Sequence, residues 1–267
     1  MNTEVFKLEK KIIFFDIDRT LYNPETKSIP NSTIEALKQL HTRDDVEIAI
    51  ATGRAYYMLH IIDEIKEFID IYVLINGQII IHEGETIFKN PISNNDVKSI
   101  VDLFEKHDLS YGFLGEHTET LNIVDEKGKK AFELVSMHLP KVDPHFYKEN
   151  EVYQMWAFCD QVSHGYFKDE LDHLSLVPWL GDGFDVLSKG MSKKQGIKKI
   201  IDILNVSQEN TIAFGDGEND LEMLDFCGFS VAMGNASKNA KNHANYITDD
   251  IDKDGIYNAC KYLKLID

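Results

Sequence analysis

Residues 12–21 read Ile12-Ile13-Phe14-Phe15-Asp16-Ile17-Asp18-Arg19-Thr20-Leu21. The apolar residues predict a buried strand, and Asp16 and Asp18 follow at its carboxyl end. Carboxylates this close raise one another's pKa or recruit a cation. Mg²⁺ suits them, because it prefers carboxylate and backbone oxygens. The segment therefore predicts a metal-assisted site close to Asp16, although an isolated pair of turn aspartates is the simpler alternative.

Apolar runs and amphipathic stretches alternate after this strand. A cap at residues 31–33 introduces a predicted helix, and a second helix is expected at 55–68. Together with predicted strands at 46–51 and 72–75, they give a β-α-β-α-β order, which indicates a parallel sheet with right-handed crossovers. The pattern returns near the C-terminus, with predicted helices at 192–204, 218–224 and 255–265 and strands at 211–214 and 229–232.

A segment with a different pattern of predicted elements separates these two halves. Residues 79–81 and 86–88 flank Gly84 and predict a hairpin. Beyond it we expect a helix at 96–106 and strands at 111–114, 120–124, 152–158 and 174–179. We therefore predict an α/β fold with a Rossmann-like, parallel-sheet core formed by residues 1–81 and 186–267. An α+β domain is expected to be inserted at 82–185.

The composition restricts the partners and the compartment. The 267 residues are 43% hydrophobic and carry a formal net charge of −17. A surface this negative repels phosphate backbones, so we expect no nucleic-acid partner. No apolar run approaches the roughly 20 residues that span a bilayer, and no signal peptide is visible, so we expect a cytoplasmic protein without a membrane partner. Cys159, Cys227 and Cys260 are scattered and predict buried thiols in a reducing compartment.

Two further motifs follow or precede predicted helices. Thr52-Gly53-Arg54 ends the second strand, where a hydroxyl and a free backbone N–H at a helix start form a seat for an anion. As a helix cap alone, this motif is ordinary. Lys193 begins a helix, where the helix dipole disfavours a cation, so an anion or carboxylate is expected nearby. The alternative is a solvated basic face, because further lysines follow.

Residues 215–220 form the fourth motif, with the sequence Gly-Asp-Gly-Glu-Asn-Asp. Acidic residues often cap helix starts, but three acids and an asparagine exceed what capping needs. Asp216 can hold a metal, and Asn219 can donate to a phosphate. A dinucleotide site is disfavoured, because Asp220 stands where the third glycine of that motif belongs. All four motifs lie at predicted carboxyl ends of strands in one sheet, which indicates one shared site.

This order of motifs resembles that of the haloacid dehalogenase (HAD) superfamily of phosphohydrolases. The resemblance is strongest to its Cof-type subgroup (type IIB), whose large α/β cap is inserted between the second and third motifs. Residues 15–21 resemble the DxDGT motif of the family, 51–54 its second motif, 190–193 its lysine motif and 215–220 its GDxxND motif. Residues 75–77 also resemble the Asn-Gly segment where such cores pass into the cap. The similarity spans the whole chain.

One residue departs from the family pattern. Arg19 stands where the family usually has glycine. If that turn needs a positive φ, a side chain there costs on the order of 1 kcal/mol or more. We therefore expect Arg19 to contact the cap or the substrate.

The resemblance implies a role for each matching residue. It makes Asp16 the nucleophile that becomes phosphorylated, and Asp18 the general acid and then the base for water. It places Mg²⁺ on the Asp16 carboxylate, the Asp18 backbone carbonyl and Asp216. The implied phosphate-binding groups are the N–H of Ile17, Thr52, the N–H of Gly53, Lys193 and Asn219. The implied supporting residues are Asp220, which steadies the site through Lys193 or a metal-bound water, Asn76, and Arg54, which binds phosphate or braces the loop through a carboxylate.

The resulting hypothesis is a Mg²⁺-dependent phosphatase of small phosphorylated metabolites, such as sugar phosphates or phosphorylated cofactors. Two alternatives stay open. A phosphomutase on the same scaffold would return the phosphoryl group to its substrate. A non-enzymatic, phosphate-sensing module would bind without turnover, and Arg19 is its only support in the sequence. The expected partner is a small-molecule phosphate ester, and the expected assembly is a monomer or a weak homodimer.

Overall fold

The computed structural model describes residues 9–134, 138–178 and 182–267. Within these ranges the strands form two sheets. The strands of the first sheet are β1 (Lys11–Phe15), β2 (Val46–Ala51), β3 (Ile71–Leu74), β4 (Ile79–His82), β5 (Glu85–Lys89), β12 (Thr211–Gly215), β13 (Phe229–Ala232) and β14 (Tyr246–Ile247). Those of the second are β6 (Ser110–Leu114), β7 (Glu119–Leu121), β8 (Lys141–Val142), β9 (Gln154–Phe158), β10 (Leu174–Pro178) and β11 (Phe184–Ser188).

The first sheet has a parallel centre. Its strand order is β14-β13-β12-β1-β2-β3-β4-β5, and neighbours from β14 to β3 run parallel. The apolar residues of β1 have no exposed surface, and Phe15 stacks on Phe214 of β12 with ring centroids 4.7 Å apart. Strands buried on both faces read as continuous apolar runs, as β1 does. The predicted α/β fold with a central parallel sheet is confirmed.

The helices connect and cover these strands. They are α1 (Asn31–His41), α2 (Asn94–Lys106), α3 (Glu126–Leu134), α4 (Gln161–Glu170), α5 (Lys193–Leu204), α6 (Leu221–Phe226), α7 (Lys238–His243) and α8 (Gly255–Tyr262). Shorter 3₁₀ turns occur at Ile75–Gly77, Phe146–Lys148, Gln208–Asn210, Glu218–Asp220 and Ile251–Lys253. The predicted helix at 218–224 is therefore a 3₁₀ turn followed by α6.

Two details of the predicted helices are wrong. The cap expected at residues 31–33 is not formed, because α1 begins at Asn31 and its N-cap is Pro30, which has no side chain able to accept a hydrogen bond. Pro30 has an extended backbone, with φ −58 and ψ 138, and the chain enters the helix directly after it. The helix expected at 55–68 is a 3₁₀ helix, Tyr56–Phe68, interrupted at Ile62.

The packing divides the chain into two compact units. The core unit holds the described residues up to Arg54, together with Met58–Phe88 and Ser192–Asp267. The inserted unit holds Ala55–Tyr57 and Lys89–Met191. These bounds lie several residues from those predicted for the inserted domain, 82–185, and the assignment of that segment as a cap stays a prediction.

The inserted unit has its own sheet and its own core. The strand order is β10-β11-β9-β6-β7-β8, and all neighbours except β7 and β8 are antiparallel. Phe104 of α2 packs edge-on against Phe167 and Phe184, and all three rings are buried. Such an aromatic core gives the unit its own hydrophobic centre. Among the described residues of the whole chain, no helix has the length and apolarity that crossing a bilayer requires.

Candidate active site

The carboxyl ends of three neighbouring parallel strands, β12, β1 and β2, meet at one edge of the core sheet. Phe15, the last residue of β1, lies opposite Ile50 of β2 and Phe214 of β12. The residues that follow these strands therefore emerge side by side. Asp16, Thr52 and Asp216 are those residues, so three of the four predicted motifs converge through strand register alone.

Three carboxylates and one ammonium group form the centre of this edge. One carboxylate oxygen from each of Asp16, Asp216 and Asp220 lies within 4.8 Å of the others, and all three residues are buried. Lys193 Nζ donates to Asp16 Oδ1 and Asp220 Oδ1, at 2.6 Å each, and the lysine has no exposed surface. Three buried carboxylates therefore face one buried ammonium group, and the half-exposed Arg19 guanidinium beside Asp216 is a further cationic group near them.

This excess of negative charge shifts the protonation equilibria. Burial raises the pKa of Asp16 well above its usual value, and the neighbouring Asp220 and Asp216 carboxylates add to the effect of burial against the opposing ammonium of Lys193. Burial and Asp220 raise the pKa of Asp216 to about 7. Burial lowers the pKa of Lys193, but its two carboxylate partners outweigh burial, so the net shift is upward and the lysine stays protonated. The cluster is thus short of positive charge.

Close backbone packing places Lys193 in the cluster. Lys193 is the first residue of α5, and Ser192 is the N-cap. Gly77 has a φ of +93, and a Cβ there would lie 2.5 Å from Ser192 O and 3.0 Å from Gly196 N. A Cβ on Gly196 would in turn lie 2.4 Å from Val73 Cγ1. Glycine at 77 and 196 therefore lets the start of α5 approach the sheet edge.

The three aspartates differ in how many of their carboxylate oxygens accept hydrogen bonds. Asp220 Oδ1 accepts from Lys193, and Oδ2 accepts from the backbone N–H groups of Asp216 and Gly217, both at 2.9 Å. Within the described residues, the Asp216 side chain accepts no hydrogen bond, and Asp16 Oδ2 accepts none. Asp16 and Asp216 therefore keep oxygens for a cation, whereas Asp220 holds the loop and the lysine in place.

A divalent metal fits this donor set. Hard divalent cations bind carboxylate oxygens, and the three carboxylates outnumber the two cationic groups beside them, Lys193 and Arg19. Asp18 was also predicted as a ligand, through its backbone carbonyl, and within the described residues that oxygen accepts no hydrogen bond. The residues that can hold the metal are thus Asp16, Asp216 and the Asp18 carbonyl.

The Asp18 side chain is held by Arg54. Arg54 Nε donates to Asp18 Oδ2 at 2.8 Å, and Nη2 donates to Oδ1 at 2.7 Å. Asp18 is 47% exposed on its side chain, whereas Arg54 is mostly buried. Of the two predicted alternatives for Arg54, phosphate binding and bracing of the loop through a carboxylate, the structure shows the carboxylate contact.

The second motif is joined to the Asn76 turn by backbone hydrogen bonds. Thr52 N donates to Val73 O at 2.9 Å, and Asn76 N donates to Thr52 O at 3.0 Å. Asn76 has a left-handed φ of 51, which asparagine tolerates better than most residues. A Cβ on Gly53 would lie 3.3 Å from Asn76 Nδ2, so the two segments are in van der Waals contact. Asn76 thus shapes the loop that carries Thr52.

Two of the predicted phosphate donors have no hydrogen-bond partner among the described residues. The backbone N–H groups of Ile17 and Gly53 donate no hydrogen bond to any described residue. Ile17 has no exposed surface, and a buried N–H without an acceptor is costly, so an external acceptor is expected. Asn219 lies exposed on the turn Glu218–Asp220, and in the described part of the chain its side chain makes no hydrogen bond to the carboxylate cluster.

Sequence reasoning missed Asn235, and it did not predict the contact that Arg19 makes with Asp216. Arg19 Nε lies 3.5 Å from Asp216 Oδ2, and its expected contact with the cap or the substrate stays a prediction. Asn235, in the loop after β13, donates from Nδ2 to Arg19 O at 2.9 Å. No motif marks Asn235, because its contact depends on how β13 and β1 are arranged in the sheet.

Comparisons with known proteins agree with this geometry. The family model for haloacid dehalogenase-like hydrolases matches residues 13–260. A putative phosphatase, YkrA of Bacillus subtilis, is 34% identical over 262 residues, which cover 97% of this chain and 100% of the relative.

Two solved structures share the fold over nearly the whole chain. The HAD subclass IIB sugar phosphatase BT4131 has a TM-score of 0.87 and 33% identity, covering 96% of this chain and 100% of that one. The HAD phosphatase BT1666 of Bacteroides thetaiotaomicron has a TM-score of 0.90 and 29% identity, with 98% of each chain covered.

A parallel-sheet core with an acidic, lysine-bridged site at its carboxyl edge fits a hydrolase that transfers phosphoryl groups. The chain belongs to the haloacid dehalogenase-like hydrolase family. Within that family it is a phosphatase of subclass IIB, as the predicted resemblance implied. The family match supports an enzyme, and the sensing module without turnover is not carried further.

Proposed function

We propose that this protein is a Mg²⁺-dependent phosphatase of small phosphorylated metabolites, which works through a phosphorylated Asp16. The observation that carries the proposal is the buried excess of negative charge around Lys193. Such an arrangement is costly in the protein interior unless a cation joins it. When bound there, Mg²⁺ supplies positive charge beside the phosphoryl group and lets two anions approach each other.

Asp16 is the proposed nucleophile because of its position and its free oxygen. Lys193 fixes one oxygen of this carboxylate, and the other oxygen has no hydrogen bond within the described residues. In the first step this free oxygen attacks phosphorus, the Asp16 O–P bond forms, and the ester P–O bond breaks. The products of the step are an aspartyl phosphate on Asp16 and the leaving alcohol.

Asp18 is proposed to handle the protons. It gives a proton to the leaving ester oxygen, and it then takes one from the water that attacks the phosphorus of the aspartyl phosphate. That second attack breaks the Asp16 O–P bond, releases orthophosphate and restores both carboxyl groups. Each Asp18 oxygen accepts one hydrogen bond from Arg54 and keeps a second lone pair that can carry the proton.

The phosphoryl oxygens are proposed to bind where donors lack partners. The N–H groups of Ile17 and Gly53 donate to no described residue, and Thr52 lies beside Gly53. Donors that are fixed before the reaction stabilise developing charge without reorganisation. Lys193 and the exposed Asn219 complete the proposed set.

The substrate class is proposed from the relatives. BT4131 is described as a sugar phosphatase, and a 27% identical relative, YitU of Bacillus subtilis, is described as a phosphatase of 5-amino-6-(5-phospho-D-ribitylamino)uracil. Both names describe phosphate esters of small polyhydroxylated molecules. We therefore propose a sugar phosphate or a phosphorylated cofactor precursor as the substrate.

A phosphate-release screen tests the proposal. Purified protein is incubated with a panel of metabolite phosphates, in parallel with Mg²⁺ and with EDTA. We expect free phosphate from several sugar phosphates with Mg²⁺, and none with EDTA. Full turnover in EDTA would remove the metal from the mechanism. Product analysis with a hexose phosphate also tests the mutase alternative, because isomerised hexose phosphate without free phosphate would replace hydrolysis by transfer.

A further inference from the structure

Arg19 is held in an unusual conformation next to the carboxylate cluster. Its φ is 64, in the left-handed region that disfavours side chains. The guanidinium lies with Nε 3.5 Å from Asp216 Oδ2, and Nη2 donates to Asn235 O at 3.1 Å. Half of the side chain is exposed, at 49%, but two of its three nitrogens face protein acceptors.

Asn235 fixes Arg19 at both ends. Its Nδ2 donates to the Arg19 carbonyl at 2.9 Å, while its own carbonyl accepts from the guanidinium. Asn235 Oδ1 accepts from Ile251 N at 2.8 Å, which anchors the asparagine to a third segment of the core unit. The positive charge is therefore held in place beside Asp216.

Arg19 is also the cationic side chain that pairs with Asp216. Among the residues that the structure describes, Asp216 makes an ion pair with Arg19 alone, since Lys193 is in contact with Asp16 and Asp220. A cation bound by Asp216 would share that carboxylate with the guanidinium. Two like charges on one carboxylate repel each other, so each weakens the attraction of the other.

We propose that Arg19 is a tethered counter-charge for Asp216, which steadies this carboxylate in the metal-free protein and weakens Mg²⁺ binding. The inference rests on the proposed function, because it takes Asp216 as a metal ligand. Arg19 is then a positioning residue, and its charge sets the Mg²⁺ concentration at which the site becomes occupied. A protein with glycine at this position would lack that competing charge.

Mg²⁺ titration calorimetry on the metal-free protein, without substrate, tests this inference. Arg19→Gln removes the charge but keeps a long side chain in the left-handed conformation. We expect Arg19→Gln to bind Mg²⁺ about tenfold more tightly than wild type, and Arg19→Lys to stay within about twofold. If Arg19→Gln does not fold, Arg19→Gly carries the same comparison, because it also removes the charge.

Arg43→Gln is the matched control. Arg43 pairs with Asp45 through Nε at 2.9 Å and Nη2 at 2.7 Å, just before β2 and therefore at the opposite edge of the sheet. This variant loses the same unit of charge, so it accounts for any general effect of net charge. We expect its Mg²⁺ affinity to equal that of wild type.

Thermal unfolding gives a second readout. We expect the melting temperature of metal-free Arg19→Gln to lie below that of metal-free wild type. Addition of Mg²⁺ is expected to raise the melting temperature of the variant by more than that of wild type. A Mg²⁺ affinity in Arg19→Gln that equals or falls below that of wild type would overturn the inference. If no variant and no wild type binds Mg²⁺, the metal site of the proposed function fails instead, so the two failures are distinguishable.

Discussion

At the scale of single residues, Asp16 connects chemistry and stability. It is the proposed nucleophile, yet its carboxylate is buried beside two others, and its pKa is raised. A raised pKa means that the folded state holds the proton more tightly than the unfolded chain does. Above that pKa, the ionised Asp16 therefore lowers the free energy of unfolding.

The variant Asp16→Asn is expected to move activity and stability in opposite directions. Phosphate release falls by at least about 10⁴-fold, because the nucleophile is gone. The free energy of unfolding of the metal-free protein at pH 8 rises, because one buried charge with a raised pKa is removed. Steady-state phosphate release and urea unfolding measure the two effects.

Asp225→Asn serves as the control for that variant. Asp225 is an exposed carboxylate of the core unit that pairs with His243 at 2.8 Å. Its substitution is expected to change stability by less than about 0.5 kcal/mol and activity not at all. Activity near the wild-type level in Asp16→Asn would reject Asp16 as the nucleophile.

The sequence predicted which residues gather at the site, but not every contact among them. The acidic and lysine motifs were found because an acid pair at a strand end, a lysine at a helix start and three acids in one turn are unusual. Arg19 and Asn235 form a contact between residues 216 positions apart, and no local pattern encodes such a pair. Their roles, and the orientation of Arg54 toward Asp18, depend on side-chain geometry that only the fold supplies.

At the scale of elements, the approach of α5 to the 3₁₀ turn at Ile75–Gly77 decides where Lys193 lies. Gly77→Ala would place a Cβ 2.5 Å from Ser192 O, at a φ of +93. Since backbone atoms must move, we expect a loss of about 2–4 kcal/mol in the free energy of unfolding. The displaced start of α5 withdraws Lys193, so phosphate release falls by about tenfold or more.

Gly84→Ala separates strain from displacement. Gly84 has a φ of +80, but a Cβ there would meet nothing within 4 Å. It therefore carries the conformational cost alone, about 1–2 kcal/mol, with no change in activity. If Gly77→Ala and Gly84→Ala lost equal activity, displacement of α5 would not explain the loss in Gly77→Ala.

Element types were easier to predict than element details. The strand Val46–Ala51 matches its prediction, because a short run of apolar residues interrupted only by Glu47 lies between polar segments. The helix predicted at 55–68 has the expected apolar face but forms a 3₁₀ helix with an interruption at Ile62. Helices α3 and α4 were missed, because both are short and their sequences are mostly polar.

At the scale of the whole molecule, metal binding and stability are expected to be linked through pH. Burial and Asp220 raise the pKa of Asp216 to about 7, whereas an unfolded aspartate titrates near 4. Between about pH 4 and 7 the folded protein thus keeps a proton that the unfolded chain has lost. The contribution of Asp216 to stability therefore falls as the pH rises through this window.

Mg²⁺ must displace that proton to bind. We therefore expect the rise in melting temperature caused by a fixed Mg²⁺ concentration to be larger at pH 8 than at pH 5.5. Differential scanning calorimetry with and without Mg²⁺ measures this rise at each pH. A shift that is equal or larger at pH 5.5 would contradict the assignment of Asp216 as a ligand.

The overall architecture followed from the sequence because its motifs mark the same edge of one sheet. The order of strands and helices predicted the parallel core. The change after residue 81, from alternating strands and helices to mainly strands, predicted an insertion. The division itself lies near Phe88 and Ser192, because β5 joins the core sheet and the strand pattern continues past the predicted boundary. The identity of the substrate did not follow, because it depends on loops whose arrangement no local pattern encodes.

The central claim is that Asp16 carries the phosphoryl group during turnover. Borohydride reduces an aspartyl phosphate to homoserine, so protein quenched with borodeuteride during turnover can be digested and its peptides analysed by mass spectrometry. We predict deuterium-labelled homoserine at position 16, present with substrate and Mg²⁺ and absent when substrate is left out. Rapid turnover with no label at Asp16, or with the label on another aspartate, would contradict the account.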